Sequence, residues 1–294
     1  MFSVLDEASC LELIARAAGI GRRFSSREAL ERAYQSFLTK RFALPFPARS
    51  GTTWVNDLAL ERRLLGFINT ESPLNDYERY ADEAFLTADD RERELVAADV
   101  DHLRDLVTRF AEADPDYWRF WSLLINFVLC PRSRYSTRGG TTSDAIGVIF
   151  ACSPCRYSAL DNHEFLVHEA THHMVFLYEL VYGLYDYPAI ARQENYATAV
   201  LSGKRRPLDK VFHSIVVSTE VLLHRERTDR DLHEESRSFH GSAPTLAART
   251  ESAIESLQAM INVDELLTPA ALWLLDQCRD AVGRAEAPLE PLAV

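Results

Sequence analysis

His168, Glu169 and His172 form an H-E-x-x-H run inside the stretch Leu166-Val167-His168-Glu169-Ala170-Thr171-His172-His173-Met174. On a helix, residues four apart project from one face, one turn above the other. Two imidazoles at that spacing can share one metal ion, and Glu169 then points toward its open coordination positions. Phe165, Leu166, Val167, Met174, Val175, Phe176 and Leu177 flank the motif, so the helix is expected to be mostly buried. A chance H-E-x-x-H on a solvated helix is the competing reading, and the apolar flanks argue against it. Two imidazoles and a carboxylate inside an apolar helix need partners, which a metal supplies.

Two histidines hold a metal loosely, so a third protein ligand is expected. Three candidates compete. His213 sits among Val211, Phe212, Ile215 and Val216 in an apolar run. Glu194 follows the motif much as the downstream glutamate does in gluzincin peptidases, although Tyr187-Pro188 and nearby glycines make its surroundings less regular. Glu220 lies two turns beyond His213, with His224 continuing that face. His173 points about 100° from His172 and reads as a core or supporting residue. His163 reads as a loop histidine ahead of the helix.

The elements that must position these groups follow from periodicity and turn residues. Residues 1–115 read as a helical N-terminal region, with Ser26 as an N-cap and a charged amphipathic helix over 89–110 that Asp114-Pro115 ends. On its buried side are Leu95, Val96, Val100, Leu103, Leu106, Val107 and Phe110. Residues 116–285 read as a metal-binding α+β domain with C-terminal helices, and 286–294 as a tail. Within that domain the β-formers of 121–130 and 145–152 read as strands, joined through the turn-rich Arg138-Gly139-Gly140-Thr141-Thr142. The metal helix extends to about Tyr182. A second apolar helix covers 211–224, residues 225–240 read as charged and exposed, and helices over 243–261 and 269–281 close the chain, the last capped by Thr268. The fold class expected is α+β and mostly helical: a small sheet packed on the H-E-x-x-H helix in a zincin-like way.

Composition narrows the function. The 294 residues are 47% hydrophobic and 26% charged, an ordinary globular balance, and the net charge is −12. That acidity argues against nucleic acid as a partner, whose binders carry basic faces. No apolar run reaches the about 18 residues of a membrane span, and the N-terminus lacks a signal-peptide pattern. Five scattered cysteines make no disulfide framework, and Cys152-Ser153-Pro154-Cys155 lacks the second pair that a zinc site would need. The cytoplasm is the expected compartment.

Gly147-Val148-Ile149-Phe150, the H-E-x-x-H helix and Arg206-Pro207-Leu208 with Val211-Phe212-His213 together resemble one family, over roughly residues 135–225. It is the H-E-x-x-H-type 2-oxoglutarate-dependent peptide β-hydroxylases that modify ribosomally synthesised precursor peptides. The first motif is shared with zinc peptidases, and the Arg-Pro…His element separates the two. The resemblance implies a non-haem Fe(II) dioxygenase with His168, His172 and His213 on the metal, and a precursor peptide as partner. Such a set departs from the two-His-one-carboxylate triad, so Glu169 is either a further ligand or a supporting base. The distal carboxylate of 2-oxoglutarate would need a cation, with Arg206 first in line and Arg227 second. The alternative chemistry is peptide hydrolysis, in which Zn²⁺ polarises the scissile carbonyl and Glu169 takes a proton from water. A third reading is an inactive zincin-like scaffold that binds a peptide.

Overall fold

The computed structural model describes residues 4–21, 24–42, 51–68, 85–86, 92–133, 138–228 and 239–285. The chain divides into two compact units, Met1–Val181 and Tyr182–Val294. The described residues are mostly helical, with a small sheet. Among them, no helix is long and apolar enough to cross a membrane. The tail read over 286–294 lies outside the described residues.

In the first unit, α1 (Glu7–Ala17) and α2 (Arg27–Phe42) pack as a pair. Asp6 caps α1 by accepting from the Ser9 N–H at 2.7 Å, and Ser26 caps α2 by accepting from Ala29 N–H at 3.2 Å. After β1 (Thr53–Trp54) come α3 (Leu58–Ile68) and β2 (Phe85–Leu86). The next helix, α4 (Arg93–Ala113), buries Val96, Val100, Leu103 and Leu106. Leu95, which periodicity places near that face, is 56% exposed in the first turn of the helix. Asp114 both ends α4 and caps α5 (Pro115–Leu124), accepting from Tyr117 N–H at 3.2 Å with proline at the first helical position.

α5 corrects the sequence reading. Residues 121–124 are helical, and only Phe127–Leu129 form a strand, β3. Trp121 is buried and its indole N–H donates to the Leu166 carbonyl at 3.3 Å. Long-range burial therefore overrides the β-propensity of this run. β4 (Arg132–Ser133) pairs with β2, and β5 is Gly139–Gly140, inside the segment read as a turn. β6 (Val148–Ala151) lies parallel to β3 and antiparallel to β5, giving the order β1-β3-β6-β5. Gly139 makes the last pairing possible: a Cβ there would lie 2.0 Å from the Phe150 carbonyl oxygen. β3 and β6 are fully buried, reading as short apolar runs without alternation.

α6 (Ala159–Tyr182) carries the motif. Its start is a reciprocal cap: Asp161 N–H donates to Ser158 Oγ at 3.0 Å, and the Ser158 hydroxyl donates to Asp161 Oδ2 at 2.9 Å. Its end is Gly183, whose φ of 66° stops the helix in the left-handed region.

The second unit contains α7 (Tyr187–Ile190), the hairpin β7 (Ala197–Thr198) with β8 (Arg205–Arg206), and α8 (Leu208–Thr228). It ends with α9 (Ala243–Gln258), α10 (Val263–Leu266) and α11 (Pro269–Ala285), with α8, α9 and α11 packed on one another. Thr268 caps α11 through Ala271 N–H at 3.3 Å. α8 runs further than expected: Arg225, read as exposed, is buried, as is His240. Arginine's aliphatic stem makes such a position tolerable.

Candidate metal centre

His168 and His172 converge on one face of α6, with their Nε2 atoms 3.1 Å apart. Two nitrogens each about 2.1 Å from a shared ion would subtend about 95° at that separation, as adjacent coordination positions do. The same distance suits a hydrogen bond between a protonated and a bare imidazole nitrogen, so the pair is prepared for either partner. His168 is buried, and the Phe176 ring stacks by His172 with centroids 6.2 Å apart at 21°.

Glu169 is buried, with Oε1 3.9 Å from His168 Nε2. Burial pushes its carboxyl up to about 8. A carboxyl that titrates near neutral pH beside paired imidazoles can hold or release a proton under working conditions. Among the described residues, no group of three or more His, Cys, Asp and Glu side chains is arranged to hold a metal. What α6 supplies is the imidazole pair and its neighbouring carboxyl.

His173 is fully buried and faces the sheet. The Gly147 N–H donates to its Nδ1 at 3.2 Å, so the ring proton sits on Nε2 and is donated to Thr141 Oγ1 at 2.8 Å. The Thr141 hydroxyl in turn donates to the Val148 carbonyl at 3.1 Å. Burial, with His172 adjacent, pushes the imidazolium down to about 3, so the ring is neutral. Gly147 has a φ of 88°, and a Cβ there would lie 2.9 Å from Asn126 Oδ1. The sequence put Thr141 in a turn and Gly147 at a strand, and marked neither as a partner of His173.

His163 corrects the reading of a loop histidine. It lies within α6, buried, and stacks on Phe110 with centroids 4.1 Å apart at 16°. Trp118 tilts against it at 5.5 Å. Stacking joins α4, α5 and α6 through an aromatic cluster.

The remaining candidates belong to the second unit. His213 is buried in α8, and so is Glu220. Glu194 lies in a short helical turn, Gln193–Asn195, with its side chain 69% exposed and Oε1 3.9 Å from Arg192 Nε. Arg206 is half-buried in β8. Arg227 is exposed, and its Nη2 donates to His224 Nδ1 at 2.7 Å.

The cysteines are free thiols, of which only Cys155 is exposed. Burial pushes Cys152 up to about 12 and Cys155 up to about 11. Such thiols stay protonated near neutral pH and are poor nucleophiles and ligands. No protein-family model matches the chain, and no curated protein matches it.

Proposed function

We propose that the protein is a metal-dependent enzyme acting on a peptide, an Fe(II)/2-oxoglutarate-dependent β-hydroxylase of a ribosomally synthesised precursor peptide. The observation that carries the metal is the 3.1 Å approach of two Nε2 atoms on one part-buried helical face. In this proposal His168 and His172 each give an Nε2 lone pair, and the resemblance, rather than a distance, assigns the third position to His213. A zincin-like packing of sheet and helix is part of the same reading.

Fe(II) with 2-oxoglutarate and O₂ supplies hydroxylation of a β-carbon, the keto acid losing CO₂ to become succinate. The chain's own residues do the rest. The apolar side chains around the motif bury His168 and Glu169, while His172 stays half-buried beside Phe176 and leaves the pair a side open to a ligand. Glu169 stores a proton close to His168. Arg206 offers a fork for the distal carboxylate of the cosubstrate, with Arg227 as the second choice.

The competing reading is a zinc peptidase, in which Glu169, buried with Oε1 3.9 Å from His168 Nε2, would be the base that takes a proton from water. Its gluzincin form asks Glu194 to be a ligand, and the exposure of that side chain weighs against it. Protein purified without oxygen should bind Fe(II) near one per chain, more tightly with 2-oxoglutarate, and form succinate when given O₂ and a substrate peptide. Zinc-dependent cleavage of peptides without any keto acid would replace this reading with hydrolysis.

A further inference from the structure

α6 poses a problem of azimuth. Phe165, Leu166, Val167, Met174, Val175 and Leu177 are buried over most of its circumference, with His172 and Phe176 on a half-buried stripe, so burial of apolar surface selects its rotation only coarsely. A slip of one residue would rotate the helix by about 100° and put His173 where His172 stands. The Ser158–Asp161 cap, through the Asp161 N–H and carboxylate, and the Trp121 contact to the Leu166 carbonyl fix where the helix starts and how deep it lies. The His163 ring stacked on Phe110 and the Asn162 amide donating to the Pro154 carbonyl orient side chains near the start of α6, one to three turns before the imidazole pair.

We propose that Thr141 and His173 are positioning residues for the imidazole pair: their hydrogen-bonded link to the sheet sets the rotation of α6 and so holds His168 and His172 converged. The link runs from Gly147 N–H to His173 Nδ1, from His173 Nε2–H to Thr141 Oγ1, and from the Thr141 hydroxyl to the Val148 carbonyl. Thr141 Oγ1 lies 2.8 Å from Nε2 and 3.4 Å from Nδ1, and the shorter contact, with the Gly147 N–H on Nδ1, favours the orientation that places Nε2 toward Thr141. Both ends are anchored on β6 and the residue before it, buried next to β3. A helix rotated either way would leave a buried imidazole and a buried amide without partners, which the interior penalises strongly. The clamp thus converts the sheet's rigidity into a fixed direction for the neighbouring His172. This inference rests on the metal reading of that pair.

The test uses Co(II) alone as probe, whose visible absorption reports coordination geometry. Thr141→Val keeps the shape of the side chain but breaks the link, Thr141→Ser restores it, and Leu13→Val trims the core of α1 as a stability control. Thr141→Val should weaken Co(II) binding about tenfold or more and alter the absorption bands, while Thr141→Ser stays within about threefold of the parent. Leu13→Val should lower the melting temperature of the metal-free protein yet leave Co(II) affinity in place. Parent-like Co(II) binding and bands in Thr141→Val would overturn the positioning role alone. So would an equal affinity loss in Leu13→Val at a matched drop in melting temperature. A parent protein that fails to bind Co(II) would overturn the metal reading and this inference together.

Discussion

Arg227 donates through Nη2 to His224 Nδ1 at 2.7 Å, so one of the two arginines considered for a cosubstrate carboxylate already serves a histidine on its own helix. The bond leaves His224 with its proton on Nε2. In the proposed function Arg206, on β8, is the first choice for the cosubstrate carboxylate. Arg206→Ala should therefore raise the KM for 2-oxoglutarate at least about tenfold, the scale of a lost charge-assisted hydrogen bond. Arg227→Ala should change it by less than about threefold, a surface-contact scale. Steady-state succinate formation measures both, and the reverse order would move the carboxylate fork to Arg227.

Removing either imidazole of the pair should abolish stoichiometric metal. His168→Ala and His172→Ala each delete one of few ligands, and the loss should exceed about 100-fold in affinity, beyond what changes outside the ligand set produce. His213→Ala should behave alike, while Glu194→Gln should keep full occupancy. Metal analysis after gel filtration reads all four. Retained metal in His213→Ala with loss in Glu194→Gln would turn the assignment toward the gluzincin arrangement.

The Glu169 carboxyl links stability of the metal-free protein to pH. Its folded value of about 8 lies above the ordinary 4.5, so the native state keeps a proton that the unfolded chain gives up between those two values. That contribution is fully present below about pH 4.5 and is lost as pH rises toward 8. The slope across this window approaches about 1.4 kcal/mol per pH unit. Glu169→Gln should flatten it. Urea midpoints at pH 5.5, 6.5 and 7.5 give the comparison, and parallel curves for parent and variant would refute the linkage.

A methyl group at Gly139 cannot coexist with the present pairing of β5 and β6. The φ of 133° and the 2.0 Å approach to the Phe150 oxygen both oppose it. Gly139→Ala should cost about 2 kcal/mol or more, the scale of a strained backbone forced on a non-glycine residue. Because Thr141 follows this strand, metal binding should weaken as well. Unchanged urea midpoints would mean that the edge strand can part from β6 at no cost.

Local patterns carried much of the architecture. The four-residue spacing of His168 and His172 places two imidazoles on one face of any helix, and the apolar flanks ensured that the helix would be buried. Short-range caps at Ser26 and Thr268 were equally legible, because an N-cap needs only a side-chain oxygen and an amide two or three residues on, whereas Asp114-Pro115 read as the end of α4 and not as the start of α5. Other features depended on partners far along the chain. Residues 121–124 became helical because Trp121 found the Leu166 carbonyl and a buried site, and local β-propensity, worth at most about 1 kcal/mol, yields to such burial. Gly139–Gly140 became a strand because β6 lay beside it, and His163 became a core residue because Phe110 and Trp118 enclosed it. The direction in which α6 turns its histidines belongs to this second group. Its apolar residues select a rotation only coarsely, and the finer choice rests on contacts that exist only once the helix has packed: His163 on Phe110, and His173 on Thr141 and Gly147.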